Sequence, residues 1–328
     1  MLIVQTPLRI SLAGGGTDLP GYYREHGGYV VSTAIDKYIY VIVNARYDDK
    51  IYVDYTQKEI VDHVDEIQHD LVREAARMAG MTHGFEVAMM ADIPSEGSGL
   101  GSSSTLVVGL LNAFYHFRGM QVDQERLARE ACRIEIEILG RPIGRQDQYI
   151  AAYGGLCGIT FGEGDEVTVE RLAMGESDKR RLGSNLLLFF TDIVRKSASI
   201  LSEQSERIVD TTEAHHGIKA LAAEAKDALL RGEYDLIGDI LHRNWELKKS
   251  LASGITNPQI DEMYARVQQG GAIGGKISGA GGGGFLLCYC PRSSQDQVRE
   301  LMSEYREMPF MLDPFGTRVV FHQEHYRW

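Results

Sequence analysis

The sequence predicts an α+β fold, with strands concentrated in the first half of the chain and helices in the second. Residues 29–47 are rich in β-branched and aromatic side chains, which is typical of one long strand or two. Residues 197–269 are predicted to be mainly helical, with interruptions at Gly232 and at Asn257–Pro258. Because the two element types are segregated, the pattern does not favour a regular alternation of strands and helices.

The remaining elements follow from shorter patterns along the chain. Strands are predicted at residues 8–12, 51–55, 85–93, 154–161, 185–191, 285–290 and 317–322. Helices are predicted at residues 65–78, 105–114, 121–139 and 298–305, and Asp123 is the expected N-cap of the third. The charged segment 162–183 is interpreted as a linker or hairpin. Since the chain has 328 residues, more than one core usually serves, we expect two domains, 1–170 and 171–328.

Composition restricts the partners that the chain could bind. The formal net charge of −12 argues against a nucleic-acid or anionic membrane surface, so an anionic substrate would need a local cluster of donors. No apolar run is long enough to span a bilayer and no secretory leader is recognised, so a cytoplasmic protein is expected. The four cysteines lack zinc or redox spacing and are expected to be reduced. The adjacent His215 and His216 are interpreted as a surface pair.

The most informative motif is a run of glycines and serines between a predicted strand and a predicted helix. It spans residues 94–104 and contains Gly97, Gly99 and Gly101 before three consecutive serines. Glycines let the backbone approach a ligand closely, and the N-terminus of the following helix carries partial positive charge. The segment is therefore predicted to bind phosphate groups through its backbone N–H groups. A capped helix after a flexible turn would need only one serine and one glycine.

Two further glycine-rich segments compete for this role, at residues 14–16 and 274–284. A Walker-like pattern runs into the latter from Gly270 to Lys276, but Ile277 follows where such a loop needs Ser or Thr. The same segment contains a Gly-x-Gly-x-x-Gly pattern at 279–284, which opens a helix in dinucleotide sites but here precedes a predicted strand. The Walker and dinucleotide interpretations of these two patterns are therefore rejected, because the neighbouring residues and elements do not fit them.

Three motifs together resemble those of the GHMP kinases, the superfamily of galactokinase, homoserine kinase, mevalonate kinase and phosphomevalonate kinase. They lie in the family's order at residues 7–18, 94–104 and 276–283. The resemblance implies an N-terminal domain like ribosomal protein S5 that binds ATP, and a C-terminal ferredoxin-like α/β sandwich. It also implies an active site between the two domains, with ATP and Mg²⁺ as cofactors.

Within the superfamily, two segments look like the D-glycero-D-manno-heptose 7-phosphate kinases, which phosphorylate the anomeric hydroxyl of a sugar that already carries a phosphate. These segments are residues 9–20 and 195–198. Galactokinases carry Gly-Glu-His where this chain has three glycines at 14–16, which argues against galactose. The resemblance therefore implies an ATP-dependent kinase of a phosphosugar, acting as a monomer or homodimer.

The same resemblance implies roles for individual residues. Asp147 matches the family's base, which accepts the hydroxyl proton, and Arg9 matches the arginine that stabilises developing alkoxide charge. Glu135 is the favoured Mg²⁺ ligand, with Ser103 as the second, and Glu137 is the alternative to Glu135.

The binding residues implied by the resemblance fall into two groups. The ATP phosphates are assigned to Pro94, Gly97, Ser98, Gly99, Leu100, Gly101, Ser102 and Ser103. The substrate is assigned to Gly15, Gly16, Thr17, Asp18, Gly279, Ala280, Gly281, Arg195 and Lys196. Further candidates for the substrate phosphate are Arg141, Lys248 and Lys249, since Lys and Arg are the usual phosphate donors.

Three other functions are weighed against this one. A kinase of another sugar, such as fucose, arabinose or an N-acetylhexosamine, would act without a substrate phosphate. A sensor would keep the pockets and lose catalysis, but the predicted catalytic residues are all present. A decarboxylase of the diphosphomevalonate type would act on a substrate with an apolar tail, which the polar segment 14–18 does not suit.

Overall fold

The computed structural model describes residues 1–93, 97–194 and 197–323, and it has the predicted α+β architecture. Its strands are β1 (Leu2–Ala13), β2 (Gly28–Ala45), β3 (Ile51–Asp54), β4 (Lys58–Val61), β5 (Phe85–Ala91), β6 (Leu156–Phe161), β7 (Val167–Arg171), β8 (Leu186–Phe190), β9 (Gly274–Ile277), β10 (Phe285–Tyr289) and β11 (Arg318–His322). Its α-helices are α1 (Pro20–His26), α2 (Asp70–Ala79), α3 (Ser102–Phe117), α4 (Gln124–Cys132), α5 (Gln146–Tyr153), α6 (Glu176–Gly183), α7 (Ser197–Glu206), α8 (Thr212–Arg231), α9 (Asp235–Lys249), α10 (Pro258–Gln269) and α11 (Gln295–Leu301).

The larger sheet is built around β2, which is long enough to pair with different strands along its length. Its order is β11-β1-β2-β5-β3-β4, and β6 and β7 extend it beside the first part of β2. The predicted strand pattern at 29–47 is therefore one strand of 18 residues rather than two. The described helices include none that is long and apolar enough to cross a membrane.

The last strand of the chain returns to this first sheet. In β11, Arg318 and His322 lie opposite Gln5 and Leu2 of β1. The Oγ1 atom of Thr317 lies 2.9 Å from that of Thr6 on β1. The expected division at residue 170 does not anticipate this return, because the strand pattern alone does not show which sheet a strand joins.

The second sheet is small and antiparallel, with the order β8-β10-β9. A short extended segment at 306–308 lies along the free edge of β8. There the N–H of Phe190 donates to the carbonyl of Arg306, and the N–H of Met308 donates to that of Leu188. With helices between β8 and β9 and with α11 after β10, this order is that of a ferredoxin-like sandwich.

Three local predictions differ from the structure. The predicted helix 121–139 is α4 followed by a π-helical turn over Arg133–Ile138, although Asp123 caps α4 as expected by accepting the N–H of Arg126. The predicted helix 298–305 lies earlier, at α11, because the 3-10 turn Arg292–Ser294 leads directly into it. The segment 162–183 forms the hairpin between β6 and β7 and then helix α6.

Alternation along β1 decides which of its side chains reach the junction of the two halves. Leu8, Ile10 and Leu12 are fully buried in a core cluster that also contains residues of β8, β10, α8 and α9. Since successive strand residues point to opposite faces, Arg9 and Ser11 point away from this cluster. The two sheets therefore share a core on one side of β1, and Arg9 and Ser11 lie on the other.

The return of β11 gives a test at Gly154. A Cβ atom there would lie 1.9 Å from the carbonyl carbon of Phe315, and the residue has φ +67. Gly119 has a similar φ of +75, with nothing within 4 Å of an added Cβ, and so serves as a control. We expect Gly119→Ala to cost about 1 kcal/mol of unfolding free energy through backbone strain alone.

We expect Gly154→Ala to cost about 3 kcal/mol or more, because the added methyl displaces the segment that leads into β11. Urea unfolding monitored by circular dichroism measures both variants. Equal losses in the two would contradict the close packing of residues 154 and 315.

Candidate active site

A cavity of about 610 Å³ lies where the two halves of the chain meet. Most of the described residues with a predicted site role line it. These are Arg9, Gly15, Gly16, Asp18, Gly97, Ser98, Gly99, Gly101, Ser102, Ser103, Glu135, Asp147, Gly279, Ala280 and Gly281. Leu100 and Thr17 lie behind its wall, and Pro94, Arg195 and Lys196 fall outside the described residues.

Arg9 and Asp147 form a bidentate ion pair at the cavity wall. The Nε and Nη2 atoms of Arg9 each donate to one carboxylate oxygen of Asp147 at 2.7 Å. Arg9 also donates from Nη1 to the carbonyl of Gly99 at 2.6 Å, and only 4% of its surface is exposed. Two parallel hydrogen bonds of this kind fix both the position and the orientation of the carboxylate relative to the guanidinium group. Asp147 lies in the first turn of α5, and 22% of its side chain remains open to the cavity.

The glycine-rich loop before α3 has the backbone geometry that its sequence predicts. Gly97, Gly99 and Gly101 have φ angles of +72, +73 and +81, which side chains rarely adopt. The helix begins at Ser102, directly after this loop, so its first N–H groups lack partners within the helix. The loop thus presents a helix N-terminus to the cavity, the arrangement in which anions bind.

Leu100 and Ser98 stabilise the shape of this loop through hydrogen bonds. The side chain of Leu100 is fully buried in the core, while its carbonyl accepts the N–H of Arg9 at 3.1 Å. The hydroxyl of Ser98 lies 2.9 Å from that of Ser102 and also accepts the N–H of Leu100. Both residues therefore shape the loop.

The loop is in direct contact with the third glycine-rich segment. A Cβ atom on Gly99 would lie 2.4 Å from the carbonyl oxygen of Ser278, and one on Gly279 would lie 2.7 Å from the Cα of Gly99. Both residues also have positive φ angles. Only glycine allows the two backbones to approach this closely, so the two motifs form one continuous wall of the cavity.

Ser103 and Glu135 meet in the cavity and are joined by Arg141. The hydroxyl of Ser103 donates to the Glu135 carboxylate, which also accepts from Gln148 Nε2 at 2.6 Å. Arg141 Nη1 lies 2.7 Å from Ser103 Oγ and 3.4 Å from Glu135 Oε1, while its Nη2 pairs with Asp70 at 3.0 Å. Glu135 is fully buried, and this burial raises the pKa of its carboxyl group.

These donors fit a hard divalent cation. A carboxylate and a hydroxyl lie beside the phosphate-binding loop, and Mg²⁺ in kinases takes one or two protein oxygens together with phosphate oxygens and waters. Among the described residues, no group of three His, Cys, Asp or Glu side chains gathers to hold a metal by itself. The site therefore suits an ion that binds together with a nucleotide.

Glu135 and Glu137 lie in a π-helical turn and differ in burial. The turn Arg133–Ile138 buries Glu135, whereas 72% of the Glu137 side chain is exposed near Arg133. Such turns are frequent at functional sites, since they shift the direction in which side chains project. Sequence periodicity treats this segment as ordinary helix, so the π-helical turn could not be predicted.

Asp18 is held in the loop after β1 by neighbouring backbone groups. Its carboxylate accepts the N–H of Gly16 at 3.0 Å and that of Gln146 at 3.1 Å. Burial first, and the charge of Asp147 second, raise the pKa of Asp18. Thr17 supports the loop by donating to the carbonyl of Gly14 at 2.8 Å. Asp18 thus faces the cavity, while Thr17 positions the loop from behind.

Some cavity residues were not predicted. The polar ones among them include Ser11, Gln146, Gln204, Lys276 and Ser278. Alternation from Arg9 along β1 could have indicated Ser11, and Gln146 directly precedes Asp147. Lys276 was considered only as part of a rejected Walker pattern.

Of the described basic residues predicted to bind the substrate phosphate, two line the cavity and one does not. Lys248 and Arg141 line the cavity. Lys249 pairs with Glu246 at 2.7 Å and is absent from the lining.

His215 is fully buried and stacks on Tyr22, so the prediction of a surface pair is wrong for this residue. The reason is its place on the buried face of α8, one turn before Ile218.

Comparisons with known proteins agree with the fold. Residues 66–155 match the family described as GHMP kinases N terminal domain, and residues 225–307 match GHMP kinases C terminal. The chain is 33% identical to the D-glycero-alpha-D-manno-heptose 7-phosphate kinase of Campylobacter jejuni, over 92% of this chain and 93% of that protein.

Two further relatives are informative. A crystal structure of a D-glycero-D-manno-heptose 1-phosphate kinase from Bacteroides thetaiotaomicron has a TM-score of 0.83 and 28% identity, covering 99% of this chain and 100% of that one. The L-fucokinase/L-fucose-1-P guanylyltransferase of Bacteroides fragilis is 29% identical over 93% of this chain and 36% of that protein. On the combined family matches and the identity to the Campylobacter protein, the chain belongs to the GHMP kinase family and is an ATP-dependent phosphotransferase.

Proposed function

We propose that the chain transfers the terminal phosphate of ATP, with Mg²⁺, to the anomeric hydroxyl of D-glycero-D-manno-heptose 7-phosphate, giving the 1,7-bisphosphate. The reaction takes place in the cytoplasm, in a monomer or homodimer. The geometry of the Arg9–Asp147 pair carries this proposal, since it places a carboxylate and a cation together in the cavity.

The roles of the two residues follow from this pairing. A carboxylate oxygen has more than one lone pair, so each oxygen of Asp147 can accept a substrate hydroxyl while it accepts from Arg9. Asp147 then takes the proton of the anomeric hydroxyl, and Arg9 stabilises the negative charge that develops on the sugar oxygen. Asp18 accepts hydrogen bonds from other sugar hydroxyls, since it faces the same cavity.

The nucleotide occupies the loop that contains Gly97, Gly99 and Gly101, with its phosphates at the N-terminus of α3. Ser103 and Glu135 hold Mg²⁺, which supplies positive charge to the phosphate oxygens. Arg141 contacts Ser103 and pairs with Asp70 at the same time, so a bound ion would take the place of its contact with Ser103.

The position of the phosphate already present on the sugar needs a direct test, because the names of two relatives differ. One is a heptose 7-phosphate kinase and the other a heptose 1-phosphate kinase. The similarity to a fucokinase supports a second candidate, an anomeric kinase of a sugar without phosphate.

A substrate panel tests the proposed acceptor. We expect ATP consumption with heptose 7-phosphate, and little with heptose 1-phosphate, free heptose, L-fucose, arabinose or N-acetylhexosamines. Phosphorus NMR of the product identifies the new phosphate ester. Turnover with free sugars would keep the kinase and reject the heptose phosphate. Binding of ATP without turnover on any sugar would favour a sensor.

Replacement of the proposed base tests the mechanism. Asp147→Asn should lower kcat by roughly 10²-fold or more, because general base catalysis contributes this much, with ATP affinity little changed. Asp62→Asn is the matched control, since it removes an exposed ion pair with Lys50 outside the cavity. A near-normal kcat in Asp147→Asn would remove Asp147 from this role.

The two neighbouring glutamates provide a test of the metal site. Glu135→Gln should raise the Mg²⁺ concentration needed for half-maximal rate roughly tenfold or more, because a neutral amide is a weaker ligand than a carboxylate. Glu137→Gln should leave it unchanged, since that side chain is exposed and lies 3.9 Å from Arg133. Binding of Mn²⁺ with ADP, followed by electron paramagnetic resonance, measures the same affinity without turnover. The reverse pattern would assign the ligand to Glu137.

A further inference from the structure

Two lysines are almost completely buried in the wall of the cavity. Lys248 is 6% exposed and Lys276 is 3% exposed, and both line the cavity. Lys248 donates to the carbonyl oxygens of Ile277 and Gly279. Among the described residues, neither lysine has a carboxylate partner at ion-pair distance. Buried cations are costly when unpaired, so two in one wall need an explanation.

The fold brings these lysines together through the contact of α9 with β9. A Cβ atom on Gly274 would lie 2.7 Å from the Cβ of His242, so the face of β9 that includes residue 274 is turned towards α9. Because side chains alternate along a strand, Lys276 lies on the same face, two residues further on. Lys248 lies in the last turn of α9, beyond His242. Both ammonium groups are therefore held by rigid elements.

Burial and neighbouring charges lower the pKa values of both lysines. Burial first, and the charge of Arg9 second, lower the pKa of Lys248 to about 7 against the opposing charge of Asp18. Burial also lowers the pKa of Lys276, with Lys248 and Arg9 as the next causes. Since Asp147 already pairs with Arg9, Asp18 is the carboxylate that offsets the two lysines.

Two hydroxyl groups that line the same cavity also lack partners. Ser278 Oγ and Ser11 Oγ are buried and have no hydrogen-bond partner among the described residues, and both residues line the cavity. Buried hydroxyls are rarely left without partners. Two cations and two free hydroxyls together match the oxygen atoms and the charge of a phosphate group.

We propose that Lys248 and Lys276, with Ser278 and Ser11, form an anion subsite that binds a phosphate group during the reaction. The proposal rests on the proposed kinase function, since it assigns the subsite to a phosphate of that reaction. The bound phosphate is either the one already on the sugar or the one being transferred from ATP. In both cases binding neutralises the lysines, which explains why their burial is tolerated.

Binding of inorganic phosphate tests the subsite without turnover. Phosphate should raise the melting temperature of the wild type and of Lys249→Met, whose side chain pairs with Glu246 outside the cavity lining. It should raise the melting temperature of Lys248→Met and Lys276→Met much less. The melting temperature without phosphate is the baseline for each variant, because Lys248→Met also removes the hydrogen bonds to the carbonyl oxygens of Ile277 and Gly279.

A non-hydrolysable ATP analogue distinguishes the two sources of phosphate. If the subsite holds the transferred phosphate, the bound analogue should prevent the stabilisation by inorganic phosphate. If it holds the phosphate of the sugar, the stabilisation should persist with the analogue bound. Kinetics should agree with the binding. In the first case Lys276→Met lowers kcat for every acceptor, and in the second it raises KM for the phosphosugar roughly tenfold or more.

Two outcomes would overturn the subsite. One is phosphate stabilisation of both cavity variants equal to that of the wild type. The other is normal kcat and KM for both variants. If either Met variant fails to fold, Lys248→Gln and Lys276→Gln keep a polar side chain and repeat the comparison. Loss of phosphate binding in variants of a chain that phosphorylates no sugar would reject the kinase function and keep the subsite.

Discussion

The bidentate pair of Arg9 and Asp147 is the interaction on which the arrangement of the cavity depends. It joins β1 to the first turn of α5, and the third contact of Arg9 adds the loop before α3. Three segments that are far apart in the chain are thus fixed around one guanidinium group. Because Gly99 in turn touches Gly279, the position of Arg9 also affects the third motif. The geometry of the cavity follows from one side chain of the first strand.

Much of this arrangement could be predicted because its signals are local. Glycines with positive φ cluster in the loop before α3, since close backbone contact and a helix N-terminus both require small residues there. The alternation that places Arg9 opposite the core is visible in the sequence around Leu8 and Ile10. Spacing to family motifs indicated Glu135 and Asp147, and the structure brings both to the same cavity.

The features that could not be predicted depend on contacts distant in sequence. The π-helical turn that carries Glu135 lies in a segment with ordinary helical periodicity, so its backbone geometry is not visible in the sequence. Lys276 follows two glycines and resembles part of a failed motif, so its burial against α9 is not visible from neighbours in sequence. Likewise, His215 becomes a core residue only because α8 packs there against α1, where Tyr22 contacts it.

The return of β11 affects how the chain reaches its native state. The strand that carries Arg9 pairs with β2 on one side, which lies close in sequence, and with β11 on the other, about 300 residues later. During synthesis from the N-terminus, this edge of β1 therefore stays open until β11 has been made. An open edge of an apolar strand is a site for mispairing with other chains. Pairing with β11 thus protects the strand that carries Arg9, long after its pairing with β2 has become possible.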